Sequence, residues 1–209
     1  MPWYAGGSVS DDPVESRQTP KPSFEPGSNG ECRSPPGGWI LFDSILEETL
    51  EAWADARQGV IEELENLPAE AFTARPVPGM RSVAEMAVHV LEVARMMVGE
   101  LCREDTDFRR LPWPELIEMH AGELLQLTER DDLLAALRTT LDEGIAAFRG
   151  VGELHMLQTI ERFDGLKGTR LAWLHHGIAQ EMYHRGQLAA YARLLGEVPA
   201  LTKRIQSAG

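Results

Sequence analysis

The sequence has few of the features that mark secreted or membrane-bound proteins. Its 209 residues include only two cysteines, Cys32 in a segment rich in Pro and Gly and Cys102 in a segment with helical spacing. A structural disulfide is therefore not expected, and a reducing compartment is favoured. No apolar run approaches the roughly 20 residues that span a bilayer, and the amino terminus lacks the basic start and apolar core of a signal peptide. We expect a cytoplasmic protein.

Basic charge is also scarce. Lys and Arg number 20 against 33 Asp and Glu, which gives a formal net charge of −13. Binding to nucleic acid needs a basic face, because phosphates must be neutralised. An anionic membrane surface likewise attracts basic segments. The sequence therefore predicts neither a nucleic-acid partner nor a membrane partner.

The first 38 residues differ in composition from the rest of the chain. Seven of the 13 prolines fall there. Such a segment buries too little apolar surface to offset the conformational entropy that ordering removes. We predict a disordered tail over residues 1–38 and a folded domain over residues 39–209.

The folded part has the apolar spacing of four long helices. Their predicted starts are Ser44, Ser82, Thr128 or Arg130, and Thr169. Ser44 and Ser82 each precede a Glu by three residues, the capping-box pattern, while Gly150 and Gly196 stand where C-terminal glycines belong. A short helix at 115–124 and an irregular or extended stretch at 156–168 are expected between them. Four amphipathic helices with one longer connection after the second predict an all-α four-helix bundle.

The last predicted helix carries a polar stripe bordered by apolar residues. The stripe comprises His176, Gln180, His184, Gln187 and Tyr191. Steps of 4, 4, 3 and 4 place these positions on one helix face. Buried imidazoles and amides need partners, since an unpaired polar group costs about 1–3 kcal/mol. A shared metal ion is one such partner, and bundle cores commonly hold metal sites.

His89 is the candidate ligand from another helix. It lies on the apolar face of the second helix, between Met86 and Val93. Alone, a histidine there is typical of a hydrogen-bonded core residue. Together with the polar stripe, it favours a metal site.

Helix geometry and ligand chemistry then favour different partners for His184. Gln180 and His184 are separated by about 6 Å along the helix and can converge on one ion, whereas His176 and His184 are separated by about 12 Å. A neutral amide oxygen is, however, a poorer ligand than imidazole. Three arrangements stay open: Gln180 binds the metal through oxygen, Gln180 orients a bound water, or His176 supports or replaces Gln180.

Three residues lie beside the stripe: Glu181 and Arg185, which allow two interpretations, and Gly186, which indicates close packing. Glu181 could orient His184 or accept a proton, or it could form an exposed pair with Arg185 four residues later. Gly186 inside a helix costs about 1 kcal/mol relative to Ala. We therefore expect a neighbouring helix to approach closely at Gly186.

Residues 41–205 resemble the DinB/YfiT-like family of metal-dependent four-helix bundles. The resemblance is carried by Ser82-Val83-Ala84-Glu85 leading to His89, by His184-Arg185-Gly186-Gln187, and by Tyr191, Leu194-Leu195-Gly196 and Pro199. It implies an up-down-down-up bundle with a metal on three histidines, one from the second helix and two, four residues apart, from the last. His89 and His184 match two of these positions. The third falls on Gln180, which departs from the family pattern and leaves the metal open among Zn, Ni, Fe and Mn.

The family resemblance also implies an activity. Members resemble transferases or isomerases that use a low-molecular-weight thiol such as mycothiol, bacillithiol or glutathione. A three-ligand site leaves positions open, and a metal there lowers the pKa of a bound thiol or water. We predict a metal-dependent enzyme that acts on a small-molecule substrate by hydrolysis or thiol transfer, with His89, Gln180, His184 and His176 as candidate metal ligands and no catalytic residue assigned.

Two further classes of protein share the all-α bundle architecture. One is a non-catalytic bundle with a decayed metal site, acting as a binding or stress-response protein. The other, a ferritin-like di-iron protein, is disfavoured because it needs two Glu-x-x-His motifs and the sequence supplies only the one from Glu181 to His184. The exposed faces of a bundle also lead us to expect a homodimer.

Overall fold

The computed structural model describes residues 44–208. The predicted disordered tail over residues 1–38 and Cys32 lie outside these residues. The helices are α1 Ile45–Glu65, α2 Val83–Leu101, α3 Trp113–Ala121, α4 Arg130–Val151, α5 Glu153–Met156, α6 Arg170–Leu194 and α7 Ala200–Ser207. Short 3₁₀ turns cover Ala69–Thr73 and Gly122–Gln126, and an antiparallel hairpin pairs β1 Thr159–Glu161 with β2 Lys167–Thr169.

The four long helices form an up-down-down-up bundle. Helix α1 runs parallel to α6, since Trp53 contacts Glu181 near the middle of both helices and Asn66 contacts Val198 beyond their carboxyl ends. Helix α4 is antiparallel to α1: Arg57 contacts Thr140, and Glu47 pairs with Arg149. Helix α2 is antiparallel to α6, because Gln180 contacts His89 and Arg170 reaches the carbonyl of Leu101. The predicted all-α four-helix bundle and its topology are confirmed.

Side-chain caps fix the starts of three long helices. Ser82 and Glu85 form the predicted reciprocal capping box. At α1, the Ser44 hydroxyl accepts the N–H of Glu47, but the Glu47 carboxylate pairs with Arg149 instead of completing a box. Thr169 caps α6 by accepting the N–H of Ala172. The sequence therefore locates all three starts correctly.

Two chain segments differ from the sequence prediction. Helix α4 continues through Gly150 and ends at Val151, where it is capped by Gly152, whose φ of 80° lies in the region that favours glycine. Helix α7 was not predicted; it is short, and it has no buried residue. Its first N–H groups are satisfied from another helix, because Glu63 of α1 accepts the N–H groups of Ala200 and Leu201.

A buried ion pair lies in the middle of the bundle between two apolar clusters. One cluster includes Val60, Val90 and Leu188, and the other includes Trp53 and Met97. Between them Arg57 and Glu181 pair across α1 and α6, both almost fully buried. No helix among the described residues is long and apolar enough to cross a membrane.

Candidate metal centre

Helices α2 and α6 bring three of the four predicted ligands together. The ring centroids of His89 and His184 are 4.9 Å apart, with the rings nearly perpendicular. The Gln180 amide nitrogen lies 3.2 Å from Nε2 of His89. Gln180 and His184 are one helical turn apart, so both side chains reach the same point on α2. The expected convergence of His89, Gln180 and His184 is present.

Each imidazole is held at Nδ1 by an acceptor on its own helix. Nδ1 of His89 lies 2.6 Å from the Glu92 carboxylate, and Nδ1 of His184 lies 2.7 Å from the Gln187 amide oxygen. An acceptor at Nδ1 places the ring proton there and leaves the lone pair on Nε2. The Gln180 amide, as an N–H donor to Nε2 of His89, agrees with this tautomer. Metal-binding histidines are commonly oriented by such outer hydrogen bonds.

The surroundings of His184 disfavour its charged form. Its side chain is only 5% exposed, and this burial lowers the pKa of His184. The hydrogen bond to Gln187 opposes that shift, whereas nearby His89 and Arg81 reinforce it. A neutral imidazole is the form that binds a metal.

An open cleft of about 480 Å³ gives access to His89 from solvent. Its wall includes Arg75, Arg81 and Glu92 together with apolar side chains such as Phe72 and Leu127. The volume lies in the range of small-molecule pockets. His89 thus stands between the buried His184 and a cleft that a small molecule can enter.

The donor atoms fit a divalent transition metal. Two imidazole nitrogens suit Zn, Ni or Fe, and an amide oxygen can serve as a weaker third ligand. Because the third group is an amide, residues 44–208 contain no cluster of three His, Cys, Asp or Glu side chains arranged to hold a metal. His89, His184 and Gln180, with its oxygen turned inward, are the residues that would hold the ion.

His176, the fourth candidate, lies in a different environment. It is exposed, its Nε2 is 3.2 Å from Nη1 of Arg162, and its ring is 4.8 Å from that of Trp173. Partial burial and the Arg162 charge lower the pKa of His176. The structure therefore does not bring His176 to the other three residues.

Several neighbouring residues take roles that the sequence did not assign correctly. Glu181 neither orients His184 nor pairs with Arg185; its carboxylate accepts from Trp53 at 2.7 Å and from Arg57. Glu92 was missed, although its position three residues after His89 places it on the same helix face. Tyr191, the last residue of the polar stripe, donates to the carbonyl of Arg81.

Comparison with known proteins agrees with the helical bundle. The model of the DinB family matches residues 42–207. Two solved Bacillus subtilis structures are similar. YfiT, a probable metal-dependent hydrolase, is 15% identical with a TM-score of 0.56, and the match covers 78% of this chain and 98% of YfiT. The DinB-like protein YjoA is 20% identical with a TM-score of 0.53, and the match covers 72% of this chain and 93% of YjoA.

The mycothiol-dependent maleylpyruvate isomerase is similar at 17% identity and TM-score 0.56 over 70% of this chain, which spans 61% of the isomerase. A comparison with curated protein sequences finds no match. At these identities the solved structures establish the fold alone. The family model spans the whole bundle, including His89 and the His184-Arg185-Gly186-Gln187 segment. The chain belongs to the DinB family.

Proposed function

We propose that the chain is a metal-dependent enzyme that acts on a small molecule, by hydrolysis or by transfer of a low-molecular-weight thiol. The observation that carries the proposal is the pair His89 and His184, whose ring centroids are 4.9 Å apart and whose Nδ1 atoms are each held by an acceptor. Gln180 supplies the third donor. When bound, a divalent metal would lower the pKa of a water or thiol there.

The residues around the site suit this chemistry. Glu92 and Gln187 fix the two ring orientations, which reduces the rearrangement needed for binding. Arg75 and Arg81 line the adjoining cleft; Arg75 pairs with Glu85, and Arg81 suits a substrate with an anionic group. Two similar solved structures, a probable metal-dependent hydrolase and a mycothiol-dependent isomerase, support the same reaction classes.

A non-catalytic bundle with a decayed metal site is the second candidate. It is favoured by the hydrogen bond from Gln180 to Nε2 of His89, because this contact satisfies the imidazole without a metal. The protein would then bind a small molecule in the cleft beside His89 and perform no chemistry.

The deciding experiment measures metal content and its dependence on named residues. The purified chain is dialysed separately against Zn²⁺, Ni²⁺, Fe²⁺ and Mn²⁺ and examined by elemental analysis, together with His89→Ala, His184→Ala and, as a matched control, His176→Ala. We expect stoichiometric metal in the unmodified chain and in His176→Ala, and its loss in the other two. Metal content unchanged in both of those variants would refute the site assignment.

Thermal melts and activity assays separate the two candidates. A ligand that binds only the native state raises its stability, so a chelator should lower the melting temperature of an enzyme with a bound metal. The non-catalytic candidate predicts no stoichiometric metal and no effect of chelator. Catalysis of thiol conjugation or of ester hydrolysis by the metal-loaded chain would establish the enzyme, provided that His184→Ala abolishes it.

A further inference from the structure

Arg185 is a buried cation that lacks a partner among residues 44–208. The residue is 9% exposed, and its guanidinium makes no hydrogen bond or ion pair with any described residue. Arginine keeps its charge in proteins and carries five N–H donors. Because Arg185 also lines an open cleft, its N–H donors are available to a group that enters the cleft from outside.

The fold makes specific room for this guanidinium. A Cβ built on Gly59 of α1 would overlap Cζ and Nε of Arg185, so the glycine allows the side chain to lie directly against the α1 backbone. On α6, Arg185 thus faces α1, whereas the neighbouring His184 faces α2. The surroundings of Arg185 are therefore separate from the candidate metal centre.

Arg185 lines a cleft of about 240 Å³ between α6 and α7. A second arginine, Arg193, and the hydroxyl-bearing Thr202 also line it, and Met182 and Leu201 supply apolar wall. Gly186 lies at the same cleft, and a Cβ built on Gly186 would meet no atom of residues 44–208 within 4 Å. The close helix approach expected at Gly186 is therefore wrong; the glycine borders open space.

The one carboxylate at this cleft is already occupied. Glu63 accepts the N–H groups of Ala200 at 2.9 Å and Leu201 at 3.3 Å, and it does not come within ion-pair distance of Arg185. Glu63 thus caps α7 and leaves the arginine available.

We propose that this cleft binds a small organic anion with one carboxylate or phosphate group and a short apolar part. The oxyanion would accept paired hydrogen bonds from the Arg185 guanidinium, and Arg193, which lines the same cleft two turns further along α6, would add a favourable charge. The apolar part would contact Met182 and Leu201. The cleft is smaller than typical drug-sized pockets, so the ligand is a fragment of a few carbons.

The test is a binding experiment with the full chain and two probes. Butyrate and inorganic phosphate are titrated separately by calorimetry, with sodium chloride at equal ionic strength as the reference. We expect a saturable signal with a millimolar or lower Kd for at least one probe. A butyrate response identifies a carboxylate site, and a response to phosphate alone identifies a phosphate site.

Variants decide whether the signal comes from this cleft. Arg185→Gln should weaken binding at least tenfold and Arg193→Gln should weaken it less, whereas Arg149→Gln, with the same charge change at a distant pair with Glu47, should leave it unchanged. Gly186→Leu fills the cleft but leaves Arg185 in place, so this variant should also lose binding. It provides the test if Arg185→Gln does not fold. No response to either probe, or equal binding by Gly186→Leu and the unmodified chain, would overturn the proposal.

Discussion

Arg57 and Glu181 form a two-point ion pair in the middle of the bundle, with both side chains removed from water. Nε and Nη2 of Arg57 each donate to one Glu181 oxygen, at 2.8 and 2.6 Å. Nη1 of Arg57 donates to the carbonyl of Leu137 at 2.8 Å, and Trp53 donates to Glu181 at 2.7 Å. The pair therefore links α1, α4 and α6 at a level next to Gln180.

Glu181→Ala should destabilise the fold strongly. Removal of one member leaves Arg57 as an unpaired buried charge, which costs about 3–5 kcal/mol. Glu47→Ala, which breaks the exposed pair with Arg149, is the matched control and should have a much smaller effect. Urea denaturation followed by circular dichroism measures both. Similar losses in the two variants would mean that the buried pair has no special role.

Helix positions were predictable because their signals are local. Ser82 and Glu85 are three residues apart, and both the capping box and the start of α2 follow from that spacing. The convergence of His89 with Gln180 and His184 was also predictable, since each residue belongs to an amphipathic helix whose inward face is readable in the sequence.

The environments of Glu181 and Arg185 were not predictable from local spacing. Four residues apart on one helix, they resemble an exposed pair, yet both are buried and neither contacts the other. What decides their burial is Arg57 and Gly59 on α1, more than 120 residues earlier in the chain. Such long-range contacts depend on helix order, which no local pattern specifies.

Gln180→His should strengthen metal binding. The substitution places a third imidazole where the structure holds an amide 3.2 Å from Nε2 of His89, and imidazole is a better ligand for Zn²⁺ than a neutral amide. Since changes in outer residues already alter metal affinity about 10–100-fold, we expect at least a tenfold gain. Competition with a chromophoric chelator measures the affinity.

The double variant with His89→Ala is the control for this gain, because it should lose the added affinity. An unchanged affinity in Gln180→His would show that the amide position is not directed at the metal.

Glu100 should make the fold sensitive to acid. Burial alone would raise the pKa of Glu100, but hydrogen bonds from Arg110 and His120 outweigh it and lower the pKa. A carboxylate with a lowered folded-state pKa contributes stability that is present above its unfolded pKa and is lost as pH falls through the folded value. We therefore expect stability to fall with decreasing pH below about pH 4.5, the region of an unfolded Glu.

The variant Glu100→Gln tests this linkage. It should be less stable than the unmodified chain at pH 7 and should show a shallower loss between neutral and acidic pH, as measured by urea denaturation at a series of pH values. Glu51→Gln, at an exposed position on α1, should follow the unmodified chain. If Glu100→Gln retains the full acid dependence, the titration arises elsewhere.

Two helical glycines should respond oppositely to substitution by Ala. At Gly144 of α4, a Cβ would overlap the ring of Trp53 and lie 3.0 Å from Val98. Overpacking of this kind costs about 1–3 kcal/mol, which exceeds the gain in helix propensity. At Gly186 of α6 a Cβ would have no atom of residues 44–208 within 4 Å, so Gly186→Ala should stabilise the fold by up to about 1 kcal/mol.

Comparison of Gly144→Ala with Gly186→Ala therefore separates the energetic cost of overpacking from the gain in helix propensity. Thermal and urea unfolding of both variants, with metal removed by chelator, give the two free-energy changes without a contribution from ligand binding. Stabilisation in both variants would mean that Trp53 moves aside at little cost. Destabilisation by Gly186→Ala would mean that another helix does approach this position, and the open cleft beside Arg185 would then not exist as described.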